Sequence, residues 1–305
     1  MKMKKFIAVL ATVGMVAALA AGCGSGDDVS ADKGTKTESA SSDWDSSNDI
    51  TIVSREDGSG TRGAFVELFG IQQEVDGEKV DMTTVDAQVT NNTSVMLTTV
   101  AGDEYAIGYV SLGSLDESVK ALKIDGAEAT EENIENGSYK VSRPFNIAVK
   151  EGADNEVAND FITYIMSTEG QKIVADNGYI PVADTKAYDG TKPSGSAVVG
   201  GSSSVSPVME KLIEAYKSVN PNAKIELQTS DSTTGMTSTL EGSYDIGMAS
   251  RELKEEEIAE LDAKVIATDG IAVIVNNDNP TEELSSDQVK SIYTGETYTW
   301  DEVTE

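Results

Sequence analysis

The chain has 305 residues, of which 39% are hydrophobic and 25% are charged, which is enough for two modest α/β units with hydrophobic cores. A formal net charge of −30 disfavours nucleic acid and anionic membrane surfaces as partners of the folded part. The sequence contains no histidine and one cysteine, which excludes Ser-His-Asp and Cys-His triads, histidine metal sites and an intrachain disulfide.

The first residues have the pattern of an export signal. Lysines at positions 2, 4 and 5 precede an apolar segment, residues 6–21, that is too short to span a membrane comfortably. Small residues then lead to Cys23, and Ala18-Leu19-Ala20-Ala21-Gly22-Cys23 resembles the cleavage site of bacterial lipoproteins, although the lipoprotein pattern favours leucine where Ala20 stands. We therefore predict a signal peptide over residues 1–22 and lipid attachment at Cys23. The alternative is an incidental cysteine in an ordinary signal peptide.

Two segments have the composition of linkers. Residues 23–48 are rich in serine, aspartate, glycine, lysine and threonine and contain almost no aliphatic residue, so we predict a flexible tether there. Residues 184–196 contain Gly190, Pro193 and Gly195 and join the two halves of the chain.

The segment from Ser54 to Arg62 predicts a strand, a glycine loop and then a helix. The apolar residues Ile52 and Val53 precede it, and a periodic apolar segment follows. The first amides of a helix have no partner within the helix, and glycine lets the backbone approach a ligand closely. With two hydroxyls and the charge of Arg55, this turn is typical of an anion site, the alternative being an ordinary turn.

A second turn of the same kind lies at Gly200–Pro207. It follows a short apolar run and leads into Val208, Leu212 and Tyr216, which share one helical face. Ser206 is the predicted N-cap, with Pro207 at the first helical position.

Strands alternate with helices along the chain, which predicts an α/β fold with open, mostly parallel sheets. A charged stretch from Glu252 to Lys264 predicts a solvated helix. The predicted strands are Ala106–Val110, Phe145–Val149, Ile225–Leu227, Asp245–Met248 and Ile271–Val275, and the clearest helix is Val157–Met166.

At this point several segments resemble one known family. They are DGSGTRGAF, AIGYVSLGSL, ATEENIENGSYKVSRPFNIAVK, GQKIVADNGYIPV, GSSSVSPVMEKLIEAYK, YDIGMASRELK, IAVIVNNDNP and VKSIYTGETYTWDEV. Together they span nearly everything from Ile50 to Val303 and are similar to the phosphate-binding lipoproteins of bacterial high-affinity phosphate importers. The resemblance implies a two-lobed type II periplasmic-binding-protein fold with the ligand cleft between the lobes.

The order of these segments differs from the family's order. In the family the GSSSVSP half comes first and TWDEV runs into the strand before DGSGT, whereas TWDEV ends this chain. The difference implies a circular permutation, with both ends of the fold close in space and with one lobe from residues 49–145 plus 278–305 and the other from residues 146–277. The alternatives are a fragment of a longer duplicated protein and chains that exchange halves.

The resemblance also implies which residues contact phosphate. Matching the family's turns assigns this role to Arg55, Ser59, Gly60, Thr61, Ser203, Ser204, Ser232 and Ser250. Asp57 would orient Arg55, and Thr233 is the alternative to Ser232. The register of the triple serine is uncertain by one residue. No catalytic residue, metal or cofactor is implied.

Part of the family has an aspartate where this chain has Ser250. A buried carboxylate accepts a hydrogen bond from hydrogen phosphate and repels fully ionised sulfate. A serine there implies weaker discrimination between phosphate and sulfate unless another acid supplies the acceptor. Arg251 adds positive charge if it faces inward, and otherwise lies in solvent or an interlobe ion pair. Tyr293 and Trp300 are predicted to pack in the core or at a hinge.

As implied by the family, the ligand is inorganic phosphate, bound between lobes that close around it, and the partners are the membrane permease subunits of an ABC importer. The protein is then lipid-anchored at the extracytoplasmic face of a bacterial cell membrane. Two other classes remain open. One is a hydrolase with a serine and a lysine, and the other is a surface lipoprotein that senses another oxyanion or has lost transport.

Overall fold

A computed structural model describes residues 44–304. The predicted signal peptide, its lipid attachment site Cys23 and the predicted tether as far as residue 43 lie outside the described residues. Within residues 44–304 no helix combines the length and the apolar character needed to cross a membrane.

Two of the strands, Thr51–Arg55 and Gly195–Ser202, lead into the two predicted anion turns. The strands are Thr51–Arg55 (β1), Gln72–Val75 (β2), Glu78–Asp81 (β3), Gln88–Thr90 (β4), Ala106–Ser111 (β5), Val119–Ala121 (β6), Lys123–Ile124 (β7), Ser142–Lys150 (β8), Ile180–Pro181 (β9), Gly195–Ser202 (β10), Ala223–Ser230 (β11), Ile246–Ala249 (β12), Leu261–Asn276 (β13) and Glu283–Leu284 (β14).

The helices alternate with these strands. They are Gly60–Leu68 (α1), Thr93–Ala101 (α2), Glu131–Glu135 (α3), Glu156–Ile165 (α4), Thr168–Asp176 (α5), Ser206–Val219 (α6), Ser232–Leu240 (α7), Glu255–Ile258 (α8) and Ser286–Thr294 (α9), with 3₁₀ turns at Leu112–Ser114 and Glu302–Thr304. Each of the predicted strands, and the helix predicted at Val157–Met166, coincides with one of these elements.

The main sheet has the order β11-β10-β12-β8-β13-β5-β1-β4, with β6 and β9 also paired to β13. It is parallel at both ends, where β10 pairs with β11 and β12 and β1 pairs with β4 and β5. Its centre is antiparallel, at β12–β8, β8–β13 and β13–β5. The sequence predicted mostly parallel sheets, so the centre differs from that prediction.

The antiparallel centre follows from the path of the chain between two hydrophobic cores. The first core contains Val141 and Ile271, and the second contains Phe145 and Ala267. The chain therefore passes from the first core to the second in β8 and returns in β13. Strands that carry the chain in opposite directions between two cores must pair antiparallel.

The two cores correspond only in part to the predicted lobes. Three residues of β13 that the sequence analysis placed in the 146–277 lobe belong to the same core as Phe65, Tyr109 and Tyr293; they are Ile271, Val273 and Val275. In that core the rings of Phe65 and Tyr109 stack with centroids 3.9 Å apart. Tyr293 and Trp300 are 0% and 2% exposed in it, so their predicted place in the core is confirmed. The division at residue 277 stays a prediction.

The fold begins earlier than predicted, at Trp44 within the expected tether. The ring of Trp44 lies 4.7 Å from that of Tyr105 and 6.0 Å from that of Trp300, and Asn48 accepts a hydrogen bond from the Trp300 amide at 3.4 Å. The composition of residues 23–48 indicated a tether, but the aromatic contacts of Trp44 and backbone hydrogen bonds to Ser46 and Asn48 hold residues 44–48 against the core.

Residues 48–50 and 298–300 are neighbours. The Ile50 amide donates to the Tyr298 carbonyl at 2.7 Å, and Asp49 and Thr299 form an antiparallel bridge. The two ends of the described fold are therefore close in space.

The charged stretch 252–264 is not one helix, contrary to the prediction. Only α8 is helical there, and β13 begins at Leu261, where it pairs with Lys150 of β8. Glu257 of α8 is 5% exposed and pairs with Arg251 at 2.8 Å. Pairing with β8 overrides the local helical pattern.

Candidate functional site

The first predicted turn has the predicted form. β1 ends at Arg55, Gly58 has a positive φ of 84°, and α1 begins at Gly60. Ser59 is the N-cap of α1 and accepts a hydrogen bond from the Arg62 amide at 3.3 Å. Ser59 Oγ forms no hydrogen bond with the other predicted site residues, and because the cap uses this oxygen only as an acceptor, its proton stays available to a ligand.

Arg55 is 2% exposed and is held by Glu56. Its Nε and Nη2 atoms each donate to the Glu56 carboxylate at 2.7 Å, and Nη2 also donates to Ser203 Oγ at 3.1 Å. The prediction that Asp57 orients Arg55 is wrong. The Asp57 side chain is 99% exposed and pairs with Arg62 at 2.9 Å, because the turn directs it outward, whereas Glu56 reaches Arg55.

The backbone of Arg55 is also fixed from within the core. The Tyr109 hydroxyl accepts from the Arg55 amide at 3.2 Å and lies 3.0 Å from Ser54 Oγ. Burial raises the pKa of Tyr109 to about 12, so the hydroxyl keeps its proton near neutral pH. The strand end therefore has one defined position beneath the site.

The second predicted turn lies directly against the first. Thr61 Oγ1 lies 2.8 Å from Ser204 Oγ, and Arg55 bonds to Ser203 as described above. Helix α6 begins at Ser206, with Val205 as its N-cap, so the predicted cap at Ser206 is wrong by one residue. The Ser206 hydroxyl instead donates to the Ser202 carbonyl at 3.2 Å, which closes the turn.

Ser232 and Ser250 complete the contact between the two turns. Ser202 Oγ donates to Ser250 Oγ at 2.9 Å, and the Ser250 amide donates to Ser232 Oγ at 3.1 Å. Gly60 packs against both serines. A Cβ atom on Gly60 would collide with Ser232 Oγ and lie 2.8 Å from Ser250 Oγ, so this close approach requires glycine.

Thr93 is a site residue that the sequence analysis missed. Its Oγ1 lies 3.2 Å from Ser203 Oγ and 3.4 Å from Ser204 Oγ, and the residue is 5% exposed. Thr93 opens α2, with Asn92 as N-cap, just after strand β4. The sequence Asn91-Asn92-Thr93-Ser94 is a third polar strand-to-helix turn, and that signal was present in the sequence. Ser202 was missed because the triple serine left the register open.

We call seven buried residues the hydroxyl cluster, and each of them is at most 6% exposed. Its members are Thr61, Thr93, Ser202, Ser203, Ser204, Ser232 and Ser250. A hydroxyl group both donates and accepts, and it can rotate to direct its proton at a ligand. The cluster can therefore convert its mutual hydrogen bonds into several donors to one small anion.

Four helices begin at or beside this cluster. Thr61 lies in the first turn of α1, Thr93 opens α2, Ser204 lies just before α6, and Ser232 opens α7. The amino end of a helix carries about half a positive charge together with unpaired amides. Four such ends around one buried place, beside the guanidinium of Arg55, favour a negatively charged ligand.

The rim of the site is joined by backbone and side-chain bonds. The Thr233 amide and hydroxyl both donate to the Gly58 carbonyl at 3.2 Å. Arg251 donates to Thr233 Oγ1 at 3.3 Å and pairs with Glu257, so it does not direct its charge into the hydroxyl cluster. Thr233, the alternative to Ser232, therefore lies at the rim. Among residues 44–304 no group of acidic or cysteine side chains is arranged to hold a metal ion.

Known proteins resemble this chain over most of its length. The family model of the PBP superfamily domain matches residues 27–169 and 186–305. The Phosphate-binding protein PstS 2 of Streptococcus agalactiae is 54% identical over 306 residues, with 99% of each chain covered, and that of Streptococcus pneumoniae is 41% identical over 304 residues, with 99% of this chain and 100% of the other covered.

A solved structure extends the comparison to the fold. The crystal structure of a phosphate ABC transporter, phosphate-binding protein, from Streptococcus pneumoniae is 44% identical, with a TM-score of 0.67, and covers 84% of this chain and 100% of that chain. The predicted α/β fold of the type II periplasmic-binding-protein class is confirmed. The chain belongs to the PBP superfamily and, within it, to the PstS family of phosphate-binding proteins.

Proposed function

We propose that this chain captures inorganic phosphate in the hydroxyl cluster and delivers it to the permease subunits of an ABC importer, acting as an extracytoplasmic binding protein without catalytic activity. The observation that carries the proposal is the convergence of four helix starts, seven buried hydroxyls and Arg55 at one place. The names of the relatives, which match over the whole chain, supply the identity of the anion.

The arrangement suits a phosphate ion that loses its water on binding. Removing an anion from water is costly unless fixed donors replace the water. Helix amides held by the fold, together with hydroxyls that need only rotate, provide these donors, and in a water-excluded site they act more strongly than in solution. The net charge of −30 opposes an anion only at long range, where salt screens it over about 8 Å.

The site offers no free carboxylate for the proton of hydrogen phosphate among the groups that surround the cluster in the described part of the chain. Both oxygens of Glu56 accept from Arg55, and Ser250 accepts from Ser202. The oxygen of a serine hydroxyl then accepts the hydrogen bond that the P–OH group donates. Because a neutral acceptor repels sulfate less than a carboxylate does, we expect softer discrimination against sulfate.

We also propose that the protein is held at the membrane by lipid on Cys23, after removal of residues 1–22. The basic start, the apolar segment and the small residues before Cys23 support this. Labelling with a fatty-acid analogue tests it. A Cys23→Ala variant should lose the label and leave the membrane fraction, and a labelled variant would contradict the proposal.

The circular permutation and the two-lobe division remain proposals as well. Their support is the bridge between Asp49 and Thr299, and the two cores on either side of the β8 and β13 crossing. A permuted chain whose lobes close on phosphate should sediment as one compact species, and its radius of gyration should fall when phosphate is added. A dimer that loses binding on dilution would favour exchanged halves.

Calorimetric titration tests the function directly. The purified protein should release heat with phosphate and bind one ion per chain, with weaker binding of sulfate and molybdate. An incubation with a chromogenic phosphate ester, monitored for release of the alcohol, tests for catalysis in the same preparation. Heat with none of the anions would overturn phosphate capture, and turnover of the ester would place the protein among enzymes.

A further inference from the structure

Arg143 and Asp269 form a buried ion pair at the place where the chain crosses between the two cores. Arg143 of β8 lies opposite Asp269 of β13 in the antiparallel register. The residues are 4% and 1% exposed, and the Arg143 Nη2 atom lies 3.1 Å from Asp269 Oδ2. Neither residue belongs to the hydroxyl cluster, and the proposed phosphate contacts do not use them.

The guanidinium of Arg143 is poorly satisfied. Its contact with Asp269 Oδ2 is an ion pair without the geometry of a hydrogen bond, so the buried Nε, Nη1 and Nη2 atoms donate no hydrogen bond to any residue among 44–304. The other carboxylate oxygen, Oδ1, accepts from Ser111 Oγ at 2.9 Å. The ring of Phe145 lies 5.4 Å from the guanidinium carbon. A fold seldom buries a charge with so few partners unless the charge serves another purpose.

This charge is close to the proposed anion site. Arg143 lines a cavity of about 730 Å³ that Gly58 and Ser59 of the first turn also line. Burial lowers the pKa of Arg143 to about 10, with Asp269 opposing the shift and the charge of Arg55 adding to it. Strand β5 connects the ion pair with Arg55, because Ser111 bonds to Asp269 and Tyr109, two residues earlier on that strand, accepts from the Arg55 amide. Arg143 remains protonated near pH 7.

We propose that Arg143 is a second cation of the anion site, stabilising bound phosphate across the protein interior without touching it, while Asp269 offsets part of that effect. This inference rests on the proposed function. The two arginines repel each other when the site is empty, and an anion beside Arg55 relieves that repulsion. Charges in the interior act through a low effective dielectric and are little screened by salt, so the effect persists in saline buffer.

Because Arg143 and Asp269 carry opposite charges, the inference predicts opposite changes in phosphate affinity when each is neutralised, and a purely structural role does not. Asp269→Asn removes a negative charge and should tighten phosphate binding by about fivefold, whereas Arg143→Met should weaken it by about tenfold. The tenfold change corresponds to about 1.4 kcal/mol. Both variants should melt at lower temperature than the wild type, because each breaks a buried pair. A role in stability alone would move both affinities in the same direction.

A double variant and an exposed control variant separate the effect of the Arg143 charge from a loss of stability. The neutral pair Arg143→Met with Asp269→Asn leaves no unpaired charge, and it should bind phosphate more weakly than Asp269→Asn alone. Lys172→Met removes an exposed positive charge paired with Asp176, and it should bind within twofold of the wild type. If Arg143→Met does not fold, the comparison of Asp269→Asn with the neutral pair still measures the charge of Arg143.

Titration calorimetry with inorganic phosphate at pH 7, in 0 and about 0.15 M added salt, provides the affinities. Weaker binding by Asp269→Asn, or changes below twofold in both single variants, would overturn the inference while leaving the proposed function intact, provided that the wild type binds. A wild-type protein that binds no phosphate would overturn both.

Discussion

Arg55 Nη2 donates to Ser203 Oγ at 3.1 Å, although the two residues stand 148 positions apart in the chain. The bond joins the ends of β1 and β10, two strands at opposite sides of the main sheet order. Together with the 2.8 Å contact between Thr61 Oγ1 and Ser204 Oγ, it links the two turns that the proposed anion site needs.

Removal of the Arg55 guanidinium should abolish practical phosphate binding. We expect Arg55→Ala to weaken binding at least about a hundredfold, because a charged hydrogen-bond donor in a desolvated site contributes about 3 kcal/mol. The melting temperature should fall as well, because the largely buried Glu56 side chain, 19% exposed, loses its partner, so the titration is run on protein shown to be folded. Calorimetric titration measures the affinity, and Lys172→Ala provides an exposed control. Near wild-type affinity in Arg55→Ala would remove Arg55 from the site.

Gly60 and Gly63 provide a matched pair within α1. A Cβ atom on Gly60 would collide with Ser232 Oγ, so Gly60→Ala should hold the two turns apart and weaken phosphate binding at least about tenfold. At Gly63 the nearest atom to an added Cβ is Arg251 Cδ at 3.9 Å, so Gly63→Ala should bind normally and gain about 0.5–1 kcal/mol in stability from better helix propensity. Equal affinities for the two variants would contradict the close approach seen here.

The role of Thr93 can be tested without changing the volume of the side chain. Thr93→Val removes one hydroxyl from the cluster and should weaken phosphate binding by about tenfold, the effect of one lost hydrogen bond in a desolvated site. Thr98→Val in the same helix is the control, because its hydroxyl bonds to the Ser94 carbonyl on the exposed side. Unchanged affinity in Thr93→Val would show that α2 does not contribute a ligand.

Asp160 should hold the connecting segment 184–196 in a pH-dependent way. It accepts from the Tyr188 and Tyr216 hydroxyls at 2.6 Å each and from the Thr191 amide at 2.7 Å. Burial alone would raise the pKa of Asp160, but the hydrogen bonds from Tyr188 and Tyr216 outweigh it and the pKa lies below its usual value.

A carboxylate with a lowered pKa stabilises the fold above its unfolded pKa of about 3.9 and loses that contribution as the pH falls through its folded pKa. Asp160→Asn should therefore cost about 2 kcal/mol at pH 7 and less at pH 2, which lies below the unfolded pKa. Urea unfolding at both pH values measures this, with the exposed Asp176→Asn as control. A cost that is equal at pH 7 and pH 2 would rule out the proposed titration.

Trp44 should contribute to stability although it lies in the predicted tether. Trp44→Ala should lower the free energy of unfolding by about 1–2 kcal/mol, because it removes contacts with Tyr105 and Trp300. Trp44 and Trp300 are the two tryptophans of the chain, so fluorescence emission reports directly on this place. Val85→Ala, at a side chain 98% exposed, should leave stability unchanged. Equal free energies of unfolding for Trp44→Ala and the wild type would show that residue 44 does not stabilise the fold and belongs to the tether.

Much of the site could be predicted from local signals. The pattern of Ile52, Val53, the glycines and Phe65 is sufficient for a strand, a turn and a helix, because each residue acts through its own backbone preference and its neighbours. The alternating elements also predicted the α/β class. The partner of Arg55 could not be predicted, since Glu56 and Asp57 are both acidic neighbours and only the direction of the turn distinguishes them.

The sequence by itself therefore determined the two strand-to-helix turns of the proposed anion site, the strands that precede them and the family resemblance, all of which depend on residues close together in the chain. The tertiary structure alone decided that Thr93 joins the cluster, that Trp44 is fastened to Trp300, and that residues 261–276 form a strand between two cores. These outcomes depend on contacts between residues far apart in the chain, and such contacts override local propensity because they bury more surface and satisfy more hydrogen bonds.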